Sequence, residues 1–234
     1  MSENIPVLLA TGVGPGTGAT ISRRCSRGGH MLARTRERLD ALQRELPNAK
    51  GCPSDVTDET LLDSVIDAVR RDLGTPKVLI HNAAGGAFGN FLEIDPKNLA
   101  VNFQANTMAL RYLARQLAPA MVEAGEGAIV VTGNTSALWG RPRFAGFAPT
   151  KAAQRILAES IARELRPPKG VHVAYVGIDA VIDLEWTRAM TSKPAGDPFF
   201  VQPSAIAEEI WHVVHQDRSA WSFNVEVRLF RETW

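Results

Sequence analysis

The chain of 234 residues carries 26 Lys+Arg against 25 Asp+Glu, a net charge of +1, with 45% hydrophobic and 22% charged residues. These are proportions of one globular domain, and so small a net charge gives no electrostatic reason to expect nucleic acid or an anionic membrane as partner. Cys25 and Cys52 are too few for a disulfide framework or a zinc site, Met1–Pro6 lacks signal-peptide features, and no apolar run nears the ~20 residues that span a bilayer, so a cytoplasmic protein is expected.

Short apolar runs then alternate with longer periodic segments, the pattern of βαβ units around a parallel sheet. Strands are predicted at Ile5–Ala10, His30–Ala33, Lys77–His81, Ala128–Thr132, His172–Gly177 and Phe223–Leu229. Helices are predicted at Gly18–Arg27, Arg36–Leu46, Glu59–Leu73, Asn98–Glu123, Pro149–Leu165 and Ser204–His215. One more strand, near Gly51–Asp55, is only faintly written. With no internal repeat, low-complexity tract or linker, residues 1–234 read as a single α/β domain, a doubly wound parallel sheet with helices on both faces. Asp183–Gln202, which contains Pro194, Gly196 and Pro198, reads as a long loop. It follows the carboxyl end of a strand, where open α/β sheets bind ligands, and is a candidate substrate lid. Trp211, Trp221 and Trp234 lack interleaved basic residues and read as core or subunit interface, not as a base-stacking platform.

The segment Thr11-Gly12-Val13-Gly14-Pro15-Gly16-Thr17-Gly18 follows the first strand and opens a helix. Glycines there permit a tight turn and close approach of the backbone to a pyrophosphate, while the helix start offers free amides. A Walker phosphate loop is excluded, because no Gly-Lys-Ser or Gly-Lys-Thr follows. The glycines also resemble the first motif of S-adenosylmethionine-dependent methyltransferases. Those enzymes place acids just before the first glycine and at the end of the second strand, where this chain has Ala10-Thr11 and Leu32-Ala33-Arg34. Arg34 can pair with the 2′-phosphate of NADP, whereas an acid would bind the 2′-hydroxyl of NAD, and Arg36 is close by. NADP(H) is therefore favoured over NAD(H).

Downstream come Asp55-Val56, then His81-Asn82-Ala83-Ala84-Gly85, Asn102 within Ala100-Val101-Asn102-Phe103, the run Ile129–Asn134, and Gly146-Phe147-Ala148-Pro149-Thr150-Lys151. In this order and spacing the motifs resemble the short-chain dehydrogenase/reductase family from Pro6 to about Leu229. The resemblance implies a Rossmann fold and a nicotinamide cofactor held by Gly12, Gly14, Gly16, Gly18, Arg34, Asp55, Val56, Asn82, Ala83, Lys151 and the backbone at Val181. It also implies a catalytic Asn-Ser-Tyr-Lys tetrad, whose positions here carry Asn102, Asn134, Phe147 and Lys151. In the family, tyrosine protonates the developing alkoxide, serine donates to the carbonyl oxygen, and lysine lowers the tyrosine pKa and holds the ribose.

Asn134 keeps amide donors that suit an oxyanion, but Phe147 has no proton to give. Thr135, Ser136 and Lys151 remain as proton sources, the last directly or through a water held by Asn102. Asn106 lies one turn beyond Asn102 on the same helix. Tyr112 and Tyr175 read as buried structure, and His81 as a hydrogen-bonded structural residue with no second histidine at metal spacing. Asp183 stands where a hydroxyl residue commonly meets the cofactor phosphates, so it either repels them or turns away. The expectation is an NAD(P)(H)-dependent oxidoreductase acting on a small carbonyl or alcohol substrate with a non-standard proton donor. A non-catalytic NADP-binding sensor or scaffold is the alternative, and methyl transfer a remote one. Relatives pair helices into homodimers or homotetramers, a contact that the apolar face of Ala105–Ala120 would suit as well as core packing does.

Overall fold

Alternating apolar side chains feed two cores from one sheet, as period-2 strands buried on both faces must. The computed structural model describes residues 7–25, 29–166 and 168–231. Its strands are β1 (Leu8–Thr11), β2 (Gly29–Ala33), β3 (Ala49–Pro53), β4 (Val78–His81), β5 (Gly127–Gly133), β6 (Val171–Asp179), the short β7 (Val181–Ile182) and β8 (Phe200–Val201), and β9 (Asn224–Arg228). Among the described residues the main sheet has seven strands in the order β3-β2-β1-β4-β5-β6-β9, every pair parallel. The order reverses between β1 and β4, which opens a crevice beyond their carboxyl ends.

Helices α1 (Thr17–Cys25), α2 (Arg36–Glu45), α3 (Glu59–Leu73), α4 (Pro96–Phe103), α5 (Ala109–Ala124), α6 (Ala148–Leu165), α7 (Glu185–Thr191) and α8 (Pro203–Val214) complete the chain. Leu8, Ala10, Val130, Ala174 and Val176 share one core with Ile21 of α1, Leu39 of α2 and Ile206 and Ile210 of α8. Leu9, Ile129, Val131, Val173 and Tyr175 share the other with Ile66 of α3, Leu110 and Leu113 of α5 and Ala158 of α6. Each fully buried Leu or Ile contributes about 1.5–3 kcal/mol. Among the described residues no helix is long and apolar enough to cross a membrane.

Three expectations are corrected. The faint strand is Ala49–Pro53, two residues before the predicted Gly51–Asp55, because its partner β2 ends at Ala33, which pairs with Pro53 and takes the last ladder bond from the Ser54 amide (2.9 Å). The helix predicted over Asn98–Glu123 starts at Pro96 behind the Asp95 cap and is broken by a π-helical turn at Gln104–Met108. The predicted loop Asp183–Gln202 holds α7, and β8 within it pairs in parallel with β7. Of the two roles open to the apolar face of Ala105–Ala120, core packing is filled by Ala109, Leu110, Leu113, Ala114 and Leu117. Ile5, Arg27 and Trp234, which enter the predicted first strand, first helix and tryptophan set, lie outside the described residues.

Candidate nucleotide and active site

The turn after β1 is shaped for a group pressed against backbone. Gly12 has φ +69, and a Cβ there would stand 2.5 Å from the Cα and amide nitrogen of Ala83. A Cβ on Gly18 would meet the Gly12 carbonyl at 2.3 Å, whereas one on Gly14 would enter open space. Glycine at 12 and 18 thus lets the turn fold onto the end of β4, and Gly14 leaves a gap above it. Asn82 fastens the arrangement: its Nδ2 donates to the Gly12 carbonyl (3.0 Å), and its Oδ1 accepts from Thr132 Oγ1 (2.9 Å). At the start of α1 the Ala19 and Thr20 amides bond back to the Gly14 and Gly16 carbonyls (3.0 and 3.1 Å), while Thr17 Oγ1 is buried without a hydrogen-bond partner among the described residues. The gap, that hydroxyl and the helix start fit a dinucleotide pyrophosphate.

At the end of β2, Arg34 and Arg36 are exposed and form no ion pair among the described residues. Asp55 accepts from the amide and hydroxyl of Thr57 (2.9 and 2.8 Å), and Val56 is buried in the core. Val181 lies half-buried in β7 opposite Phe200. Asp183 is the hub of the segment 183–202. It accepts from the Gly196 amide (2.8 Å) and Gln202 Nε2 (3.0 Å) and pairs with Arg188 (2.8 Å). Those contacts, the Gly196 amide foremost, hold its carboxyl below the usual range. Its neighbour Leu184 lies against Gly16, where an added Cβ would come 2.0 Å from Leu184 Cδ2.

The tetrad positions gather at the carboxyl end of β5, with one exception. Lys151 sits one turn after Phe147 on α6, its amide bonded to the Phe147 carbonyl (3.1 Å). Its Nζ donates to the Thr132 carbonyl (3.2 Å) and to Gln154 Oε1 (2.5 Å). Burial lowers its pKa to about 7. Asn134 caps a short turn, its Oδ1 accepting from the Ser136 amide (3.1 Å). The Tyr175 hydroxyl accepts from the Asn134 amide (3.2 Å) and donates to its carbonyl (3.3 Å), and burial raises that phenol to about 12. Phe147 is 7% exposed and packs on Phe88 (4.9 Å between centroids), which meets Phe144 edge-on at 5.1 Å.

Asn102 is the exception in that its Nδ2 goes to the Gly146 carbonyl (3.0 Å) and no bond joins it to Lys151 or Gln154 among the described residues. Asn106 in the π-helical turn is the asparagine joined to the lysine, because Gln154 Nε2 donates to its carbonyl (2.7 Å). The Asn106 side chain exchanges bonds with Gly85 and donates to Thr150 Oγ1 (2.8 Å). His81 is fully buried with Nδ1 3.1 Å from Thr11 Oγ1, and burial first, then the charge of Lys151, lowers its pKa to about 3. Sequence reasoning missed Gln154 and the tie from Tyr175 to Asn134. The spacing of Gln154, three residues after Lys151 on one helix, was the available signal. A cavity of about 560 Å³ lies beside Asn102, walled by Phe88, Ile94, Val101 and Arg143. No cluster of metal-ligating side chains occurs among the described residues.

A family model described as short chain dehydrogenase matches residues 6–185. The oxidoreductase asL5 of Sarocladium schorii is 30% identical over 162 residues, 68% of this chain and 65% of that protein. The 3-oxoacyl-acyl-carrier-protein reductase MabA of Mycobacterium bovis is 29% identical over 186 residues, 80% of this chain and 73% of that protein. Among solved structures, a metagenomic short-chain oxidoreductase in complex with NADP superimposes with a TM-score of 0.83 at 25% identity, covering 97% of this chain and 98% of that one. Sequence match, sheet order and the glycine turn lead to one conclusion: the chain belongs to the short-chain dehydrogenase family.

Proposed function

We propose that the protein is an NADP(H)-dependent oxidoreductase acting on a carbonyl or alcohol substrate, with a proton donor other than the family's tyrosine. The observation that carries this is a buried lysine, 3% exposed, at the end of β5 beside a crevice whose glycines are sterically required. Gly12, Gly14, Gly16, Gly18 and the start of α1 would hold the pyrophosphate, Arg34 and Arg36 the 2′-phosphate, Asp55 and Val56 the adenine, and Lys151 with the Val181 backbone the nicotinamide half. When bound, the reduced nicotinamide supplies a hydride. Asn134 keeps its Nδ2 donor for a substrate oxygen, since only its Oδ1 is engaged among the described residues. Phe88, Phe144 and Phe147, with the exposed Leu138, Trp139 and Trp186, support a substrate with an apolar body.

The aromatic packing of Phe147 favours a second reading, a non-catalytic NADP-binding sensor or scaffold. Calorimetry with NADPH, NADH and S-adenosylmethionine tests the cofactor, and NADPH is expected to bind most tightly. Preference for S-adenosylmethionine would reinstate methyl transfer. Steady NADPH oxidation with a panel of apolar ketones and aldehydes supports the oxidoreductase. Phe147→Tyr is expected to raise that rate, by less than the ~10²–10⁴ a general acid contributes where none is present, because the parent already has a donor. Binding without turnover in the parent, with turnover in Phe147→Tyr, would leave the sensor or scaffold.

A further inference from the structure

The ammonium of Lys151 is buried without a carboxylate partner among the described residues. Two of its N–H bonds go to neutral oxygens, the Thr132 carbonyl and Gln154 Oε1. Gln154 is itself fully buried, and its Nε2 donates to the Asn106 carbonyl at 2.7 Å. Reversing that amide would set a donor against the ammonium and an oxygen against a carbonyl, so one orientation alone satisfies both ends. That orientation presents an acceptor to Nζ. The third N–H of Nζ has no partner among the described residues. Around it, Asn134 and Phe147 carry no transferable proton, and the Tyr175 hydroxyl donates to the Asn134 carbonyl.

Resting on the oxidoreductase reading above, we infer that Lys151 is the proton donor of the reaction and that Gln154 is the positioning residue that holds its ammonium at the end of β5. In carbonyl reduction the substrate carbon gains a hydride from the reduced nicotinamide dinucleotide, which is oxidised. The substrate oxygen gains the proton of the third N–H bond. That bond breaks, an O–H bond forms, the electron pair stays on Nζ, and water returns a proton before the next turnover. Lowered to about 7 by burial, the ammonium releases a proton near neutrality.

Other titratable groups on the elements around α6 leave Lys151 in charge of that step. His81 on β4 is neutral, and Tyr175 and Asp179 on β6 are bound to Asn134 and to Thr135 and Arg228. His172 lies at the opposite end of β6, bonded to the Ser222 carbonyl. Arg111, Arg115 and Glu123 of α5 and Lys97 of α4 are exposed, and Tyr112 of α5 is half-buried. On α6 itself Arg155 and Arg163 pair with Glu159, and Glu164 is exposed.

The test pairs two titrations. The ¹³Cε resonance of Lys151, assigned by its loss in Lys151→Met, is followed against pH in cofactor-free protein. The pH dependence of kcat for NADPH-driven ketone reduction is measured beside it. Activity is expected to fall as pH rises through neutrality, with the two midpoints in agreement. Gln154→Met removes the acceptor and moves both midpoints down; Gln154→Glu, nearly the same shape, adds a counter-charge and moves both up, each by about one pH unit. Circular dichroism and NADPH affinity confirm that both variants are folded. Turnover whose pH profile ignores Gln154 overturns the donor assignment alone. NADPH binding without any turnover defeats the oxidoreductase reading and the donor role with it.

Discussion

At the scale of single residues, the charge state of Lys151 is coupled to the stability of the fold. Its pKa falls from 10.5 when unfolded to about 7 when buried, so below pH 7 the folded state carries the full cost of an ammonium that burial disfavours. As pH rises from about 7 to 10.5 the unfolded chain holds the extra proton, and stability rises by up to about 1.4 kcal/mol per pH unit from this group. Lys151→Met is therefore expected to unfold at higher urea than the parent at pH 6.5 and to lose that advantage by pH 10. A constant difference across that range would show that the lysine does not titrate in the folded state. Lys151 and Phe147 were legible because four residues on one helix fix their relation. The partners of Asn134 were not: Tyr175 reaches it from 41 positions away, and nothing local announces that β6 passes beneath that turn.

Elements were legible where periodicity ran long. Six strands and most helices follow from apolar alternation, but the order within residues 183–202 escaped because the proline and glycine residues there hide a helix of 7 residues and a strand of 2. The π-helical turn escaped for another reason, since one extra residue in a turn barely disturbs a 3.6-residue pattern. What ties that segment together is Asp183, through one amide, one side-chain amide and one guanidinium. Asp183→Ala removes all three contacts together. Chymotrypsin is expected to cut the variant after Trp186 or Phe199 several-fold faster than the parent, with far-UV circular dichroism unchanged. Equal cleavage rates would show that α7 and the β7–β8 pair hold the segment unaided. Leu184 would be released with it, so the variant's affinity for NADPH measures what that side chain contributes above Gly16.

For the whole molecule, the helices that the sequence offered for assembly turned their apolar face inward, and other residues remain outward. Val101 (61% exposed) and Phe103 on α4, with Ile156 (58%) on α6, are among the exposed apolar groups of the described residues. Light scattering is expected to give the mass of a homodimer or homotetramer, and Val101→Glu combined with Ile156→Glu to give a monomer. A wild-type monomer would refute the assembly. The sheet order has a separate bearing on how the protein is made. β1 lies inside the sheet next to the central β4, and Leu8 pairs with Val78 there, so the middle of the sheet cannot close until some seventy further residues have been synthesised. β6 in turn waits for β9 before its outer edge is covered. Such distant pairings must bear the entropy of closing long loops before any contact rewards them, which makes folding slow and its intermediates sticky. A nascent chain stalled before β9 would present the bare edge of β6, and that edge is where aggregation would begin.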